Sequence, residues 1–297
     1  KAEELVTTAG VPNSAYITKD VVRALRARVA LEKEDYQGAI SAATSLIGSG
    51  TYPLMTDAAA YADMWLHDNG TEAIWQFAMI KGQETGPNTL GSAFSGIIDV
   101  LPRPSYIPTT TVLNLYDQEN DIRYAAYFTY DSIDAQSVSD FMLTYCKKWP
   151  GNPELYDGKS NNVNKTKAFR ISEMYLIAAE AYAMSGDETN ASKILNELKA
   201  ARIKGWSEKT YSGNALMKEI QNEYVRELFA EDPHIFNMKR WKVGLNRSTS
   251  EAQVVSYLPA LGTDMVKPAD NHMWVWPIPK EEIDSNPQIK GQQNEGY

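Results

Sequence analysis

Cysteine is almost missing from this 297-residue chain: Cys146 stands alone. A single thiol excludes an intrachain disulfide and a thiolate-rich zinc site, and the expectation for Cys146 is a buried or half-buried side chain. Histidine is scarce as well. His67, His234 and His272 form no i, i+4 pair, so no metal centre is expected. Positive charge runs short, with 29 Lys and Arg against 38 Asp and Glu for a net charge of -9. That balance excludes an extended basic face for phosphate backbones, and with it nucleic acid as a partner. No stretch approaches the ~18 apolar residues needed to cross a bilayer. Neither a glycine-rich phosphate loop nor a GxSxG elbow occurs, and no cofactor is expected.

What the chain does have is core material, 43% hydrophobic residues with 10% aromatics, and one strongly patterned segment. In EMYLIAAEAYAMSGDETNASKILNELKAAR, Met174, Tyr175, Ala178, Ala181 and Tyr182 recur at helical spacing, SGD breaks the pattern, and Ala191, Ile194, Leu195 and Leu198 resume it. The segment reads as a helical hairpin over 168–202, with small Ala179 and Ala191 where the two backbones approach. A second copy lies at 16–50. Ala27, Asp35, Ala39, Ala43 and Leu46 match Ala179, Asp187, Ala191, Leu195 and Leu198 at a constant offset of 152 residues. Both hairpins resemble tetratricopeptide repeats, although the bulky residue usual in the first helix is Ala30 in one copy and Tyr182 in the other. A tandem array would space its copies ~34 residues apart, so a wider separation implies a helical scaffold interrupted by an insertion.

The insertion, 82–165, has another texture. GQETGPNTLGS, LPRPSYIPTTT and WPGNPELYDGKSNN are rich in Gly, Pro, Asn and Ser and read as loops. Between them PTTTVLNLYDQENDIRYAAYF alternates short helical and extended character, and TEAIWQFAM ahead of the insertion reads as a brief buried strand. A third helix follows the second hairpin, with Leu216, Ile220, Tyr224 and Leu228 on one stripe. The expected architecture is mostly α: tetratricopeptide-like hairpins as scaffold, a long loop-rich insertion and a few short strands, in one integrated domain over 1–297.

Taken in order over residues 16 to 297, these segments resemble the SusD/RagB family of glycan-binding lipoproteins of Bacteroidetes-type outer membranes. The likeness rests on ITKDVVRALRARVAL with DYQGAISAATSLIGSGTYPL, on TEAIWQF, on the Asp121 and Arg123 segment, on FRISEMYLIAAEAYAMSGD, on EYVRELFAEDPHIFNMKRW and on the ending IPKEEIDSNPQIKGQQNEGY. There are departures. Tyr224 stands where an Arg is usual, and Asp232 and His234 replace a Gly and an Arg near the next turn, which bears on a charged network rather than on the fold. Family members begin with a lipoprotein signal, an acylated Cys and earlier helical repeats. This chain opens without Met on the tail of an interrupted helix, so upstream processing or truncation is expected. The resemblance implies a surface-exposed outer-membrane lipoprotein, held by a lipid anchor in the missing N-terminal part, that passes a glycan to a SusC-like TonB-dependent transporter.

Glu223, Glu227 and Glu231 put three carboxylates along one helical face beside Arg226. A glycosidase needs two carboxylates across a cleft, which one face does not supply, so structural ion pairing is the expected role and no catalytic residue is expected. A sugar ring wants exposed Trp or Tyr to stack on, beside planar polar groups. The insertion offers Tyr106 near Arg103, and Tyr145, Trp149 and Tyr156 near Asn152, Asp157 and Asn161. Those residues are the expected ligand contacts, with Trp149 foremost because Pro and Gly place it on a loop. Trp75, Trp241, Trp274 and Trp276 are expected in the core. The alternatives to glycan capture are uptake of a peptide or other nutrient, a tetratricopeptide module binding a protein tail, and a glycoside hydrolase.

Overall fold

The computed structural model describes residues 2–82, 89–94, 97–98, 101–102, 104–133, 141–158, 162–231, 234–247, 253 and 266–297. Two compact units result, Lys1–Asp232 and Pro233–Tyr297. The first contains, in order, α1 (Ala2–Leu5), α2 (Lys19–Glu32), α3 (Tyr36–Gly48), α4 (Ala58–Leu66), β1 (Ala73–Gln76), α5 (Leu90–Phe94), β2 (Ile97–Ile98), β3 (Leu101–Pro102), α6 (Thr110–Leu113), α7 (Ile122–Tyr127), β4 (Phe128–Ile133), β5 (Phe141–Cys146), β6 (Lys167–Arg170), α8 (Ile171–Met184), α9 (Glu188–Arg202) and α10 (Gly213–Glu227). The second contains α11 (His234–Arg240), β7 (Leu245–Asn246), β8 (Val266–Lys267) and α12 (Lys280–Ser285).

Both expected hairpins form, as α2 with α3 and α8 with α9, and the internal repeat governs their details. Asp35 caps α3 by accepting from the Gly38 amide at 3.0 Å, and Asp187, its counterpart 152 residues on, caps α9 by accepting from the Asn190 amide at 3.1 Å. The two turns share a left-handed residue, Glu34 at φ 59° and Gly186 at φ 83°. Only the second has the residue that adopts this conformation without a Cβ penalty. Alanines let the helices close on each other: Ala24, Ala27, Ala39 and Ala43 are fully buried in one hairpin, Ala179 and Ala191 in the other.

α3 packs against both α2 and α8, so α8 is covered on several sides and is buried along most of its length. This explains why its sequence is apolar almost all round rather than on one stripe. One core, running from Val21 through Ala178 and Ala181, fills the space between these helices. The expected strand in TEAIWQFAM is β1, paired antiparallel with β6, and Trp75 stacks on Phe169 at 6.2 Å. The stripe of α10 is also as expected, with Leu216, Ile220, Tyr224 and Leu228 all buried.

A second core is aromatic and joins the insertion to α4. Tyr61, Met64 and Trp65 of α4 meet Leu113, Tyr116, Tyr127, Phe128 and Trp149. The β4–β5 hairpin, in register from Phe128 opposite Cys146 to Ile133 opposite Phe141, rises from this core. Cys146 is buried, and burial pushes its thiol up to about 11, which leaves it unreactive at neutral pH. Of the tryptophans expected in the core, Trp75, Trp241 and Trp274 are half-buried and Trp276 is 81% exposed. Its segment, Val275 to Pro279, is broken by prolines and pairs with no strand among the described residues.

Candidate ligand-binding loops

The loops of the insertion are organised around Asp68, directly after the last turn of α4. Asp68 is buried in the left-handed conformation at φ 54°. Its carboxylate accepts from the Asn152 side-chain amide, the Lys165 backbone N–H and the Lys167 ammonium, each at 3.0 Å, and from the Asn164 amide at 3.4 Å. Two backbone contacts close the same neck. The Asn152 N–H donates to the Val163 carbonyl at 2.7 Å, and the Gly151 N–H to the Asn164 side-chain oxygen at 2.8 Å. Beyond the neck Asn152 caps a short 3-10 turn, Pro153–Leu155, by accepting from the Glu154 amide at 2.9 Å. Tyr156 follows the turn and is 48% exposed.

Helix α5 rests on this neck. A Cβ on Gly91 would lie 2.6 Å from the Asn162 carbonyl and 2.7 Å from that of Trp149, a separation that backbone atoms do not tolerate. Gly91→Ala is therefore expected to cost about 1–3 kcal/mol by overpacking, read as a lowered urea midpoint; an unchanged midpoint would mean that α5 moves away freely. The other end of α5 carries Phe94, whose ring packs on Tyr106 at 5.5 Å, and the Ser105 amide donates to the Ala93 carbonyl. Tyr106 is 62% exposed. Two exposed tyrosines are thus set on one cluster of packed loops.

The remaining expected contacts fare differently. Trp149 is on a loop as expected but only 1% exposed: its indole N–H donates to the Ala230 carbonyl at 3.0 Å and its ring meets Trp65 edge-on at 5.2 Å. Its place is the aromatic core. Asn152 is 3% exposed, and its amide is committed to Asp68. Tyr145, opposite Thr129 in the hairpin, is 9% exposed, and burial with nearby Asp131 raises its hydroxyl pKa. Asp157 is half-buried beside Tyr156. Arg103 and Asn161 lie outside the described residues.

Beneath the loops runs a buried ion-pair network that ties them to the helices. Glu227 receives Arg123, Arg170 and Arg202, each at 2.9 Å; Glu72 receives Arg170 at 3.0 Å and Arg202 at 2.8 Å. Glu223 binds Arg123 and Arg226, Asp121 binds Arg123, and Glu231 bridges Arg170 and Lys148. Lys148 also donates to the Phe229 carbonyl and lies 3.8 Å from the Tyr127 ring centre. Burial lowers its ammonium to about 8, against the pull of Glu231. The expectation of structural pairing for Glu223, Glu227 and Glu231 describes this arrangement. Burial alone would raise their carboxyls, but the guanidiniums win: Glu223 is lowered to about 2, Glu227 falls well below the ordinary value and Glu231 is lowered. None can serve as the acid of a glycosidase, which needs a carboxyl still protonated near neutrality.

The depressed carboxylates fix a pH dependence. A group whose folded pKa lies below its ordinary 4.5 stabilises fully above that pH and loses the contribution as pH falls through the folded value. The melting temperature is expected to hold down to about pH 5 and then drop steeply between 4.5 and 2, and a flat profile to pH 2 would contradict the network's ionisation.

Sequence reasoning missed Asp68 and Glu72. An Asp-Asn-Gly turn signal marks the first, but nothing local tells that its carboxylate reaches under a loop 84 residues later.

The SusD family model matches residues 116–297. The structure is similar to a SusD superfamily protein of Bacteroides thetaiotaomicron, TM-score 0.78 at 23% identity, covering 96% of this chain and 62% of that one. It is similar to a SusD-like carbohydrate binding protein of Bacteroides vulgatus, TM-score 0.75 at 19% identity, covering 99% and 64%. A third is surface glycan-binding protein A of Bacteroides uniformis, TM-score 0.67 at 19% identity, covering 96% and 64%. The chain spans less than two thirds of the length of these solved proteins. No curated protein matches the sequence.

Proposed function

The chain belongs to the SusD family, and from that premise we propose that it captures an oligo- or polysaccharide at the cell surface and delivers it, uncleaved, to a SusC-like TonB-dependent outer-membrane transporter. The observation that carries the reading is the pair of exposed tyrosines, Tyr106 and Tyr156, on loops that α5 and the Asp68 neck pack together. Phenol rings offer a flat apolar face for the C–H side of a pyranose and a hydroxyl at the rim, and Asp157 and Arg103 supply polar neighbours in the sequence. Trp149 and Asn152 act in this reading by holding the loops, not by touching sugar. Attachment to the outer membrane through an upstream lipid anchor is part of the same proposal.

Affinity per sugar should be modest, because hydroxyls exchange water for protein at small net gain. The test is calorimetric, with maltoheptaose, xylohexaose, cellohexaose and mannohexaose as probes. Tyr106→Ala and Tyr156→Ala should each weaken the binding at least tenfold, about 1.4 kcal/mol, with a small change in melting temperature because both side chains are about half exposed or more. Undiminished binding in both variants would remove the loop cluster from the site.

A further inference from the structure

We propose that Asp68 is the positioning residue of the ligand surface: its buried carboxylate gathers the stretches 151–158 and 162–167 into one neck and so fixes where Tyr156 stands. The inference rests on Tyr156 belonging to that surface. Four donors from four residues converge on the two oxygens of Asp68, so its carboxylate is engaged from the loop, the chain and the Lys167 side at once. The anchor is itself held. Gln76 of β1, also buried, donates its side-chain amide to the Asp68 carbonyl at 3.1 Å. The left-handed backbone at Asp68 turns the side chain from the end of α4 towards the neck, a conformation that non-glycine residues keep only where their surroundings enforce it.

The route from anchor to tyrosine is short. Asn152 gives its amide N–H to Asp68 and, with its oxygen, caps the turn that ends on Tyr156, so one side chain carries the constraint across. Lys167 supplies the countercharge, and its ammonium lies 4.9 Å from the Trp65 ring centre and 5.6 Å from that of Trp149. The carboxylate is therefore wedged between the aromatic core and the loop. A loop fixed in this way binds without first losing its own freedom, which raises affinity through preorganisation.

Asp68→Asn would strand Lys167 and can fail to fold, so the test uses Asn152→Asp. That change keeps the cap acceptor for Glu154, leaves the Asp68–Lys167 pair intact, and sets a carboxylate where Asp68 needs a donor. Amide hydrogen exchange at Gly151, Tyr156 and Lys165 should rise tenfold or more, while Ile177 and Ala178 in α8 keep their protection. Unchanged exchange at the neck, or an equal rise in α8, would overturn the assignment. Titration with the same four oligosaccharides then checks the link to Tyr156. Asn152→Asp should weaken binding on its own but add nothing in a Tyr156→Ala background, and additive losses would overturn a role exerted through Tyr156. If Tyr156→Ala binds like the parent, or no probe binds, the ligand reading fails, and the exchange result still decides whether Asp68 holds the loop.

Discussion

Glu227→Gln is expected to destabilise the chain by about 3–5 kcal/mol, the range for removing one partner of a buried, hydrogen-bonded ion pair. The side chain keeps its size, so packing loss does not confuse the result. What disappears is the charge facing Arg123, Arg170 and Arg202, all three fully or almost fully buried. Glu72 still faces Arg170 and Arg202, Glu223 still faces Arg123 and Glu231 still faces Arg170, but the balance of buried charge shifts by one. An amide also turns an N–H towards at least one guanidinium, donor against donor. The check is urea denaturation with an unchanged slope and a lowered midpoint. A loss below about 1 kcal/mol, the ordinary range for exposed pairs, would mean that water reaches the network.

Trp149→Ala should cost a similar amount, about 3–5 kcal/mol, because a buried indole leaves a cavity that its surroundings fill only in part. Its ring closes the aromatic core against Trp65, and its N–H satisfies the Ala230 carbonyl. Thermal unfolding separates this from the sequence-based expectation of a stacking tryptophan. A large fall in melting temperature supports the core role; a preserved melting temperature with lost glycan binding would restore Trp149 to the ligand surface.

The repeat was legible because its signals are local. Alanine spacing, the Asp35 and Asp187 caps and the turns between paired helices all act within a few residues, and each copy supports the other through the constant offset. The charged stripe on α10 was legible as a stripe. Its partners were not: Arg123, Arg170 and Arg202 reach Glu227 across separations of 104, 57 and 25 residues. Trp149 shows the same limit at one position. Pro150 and Gly151 set the backbone as a loop, but Trp65 and Ala230, both about 80 residues away, decide that the ring is inside. Asn152 followed it inward, since a polar residue on a loop reads as solvated until its acceptor is known. For Tyr106 and Tyr156 the same loop signals led outward, because the polar, Pro-broken chain around them brings no apolar partner able to cover the rings fully.

Calorimetric titration of the chain with maltoheptaose, xylohexaose, cellohexaose and mannohexaose, with chromatography of the recovered sugar, tests the central claim most directly. The account predicts saturable binding of at least one oligosaccharide, recovered at its original length, and loss of that binding when Tyr106 and Tyr156 are both replaced by Ala. Shortened sugar in the recovered fraction, or binding indifferent to both tyrosines, would contradict it.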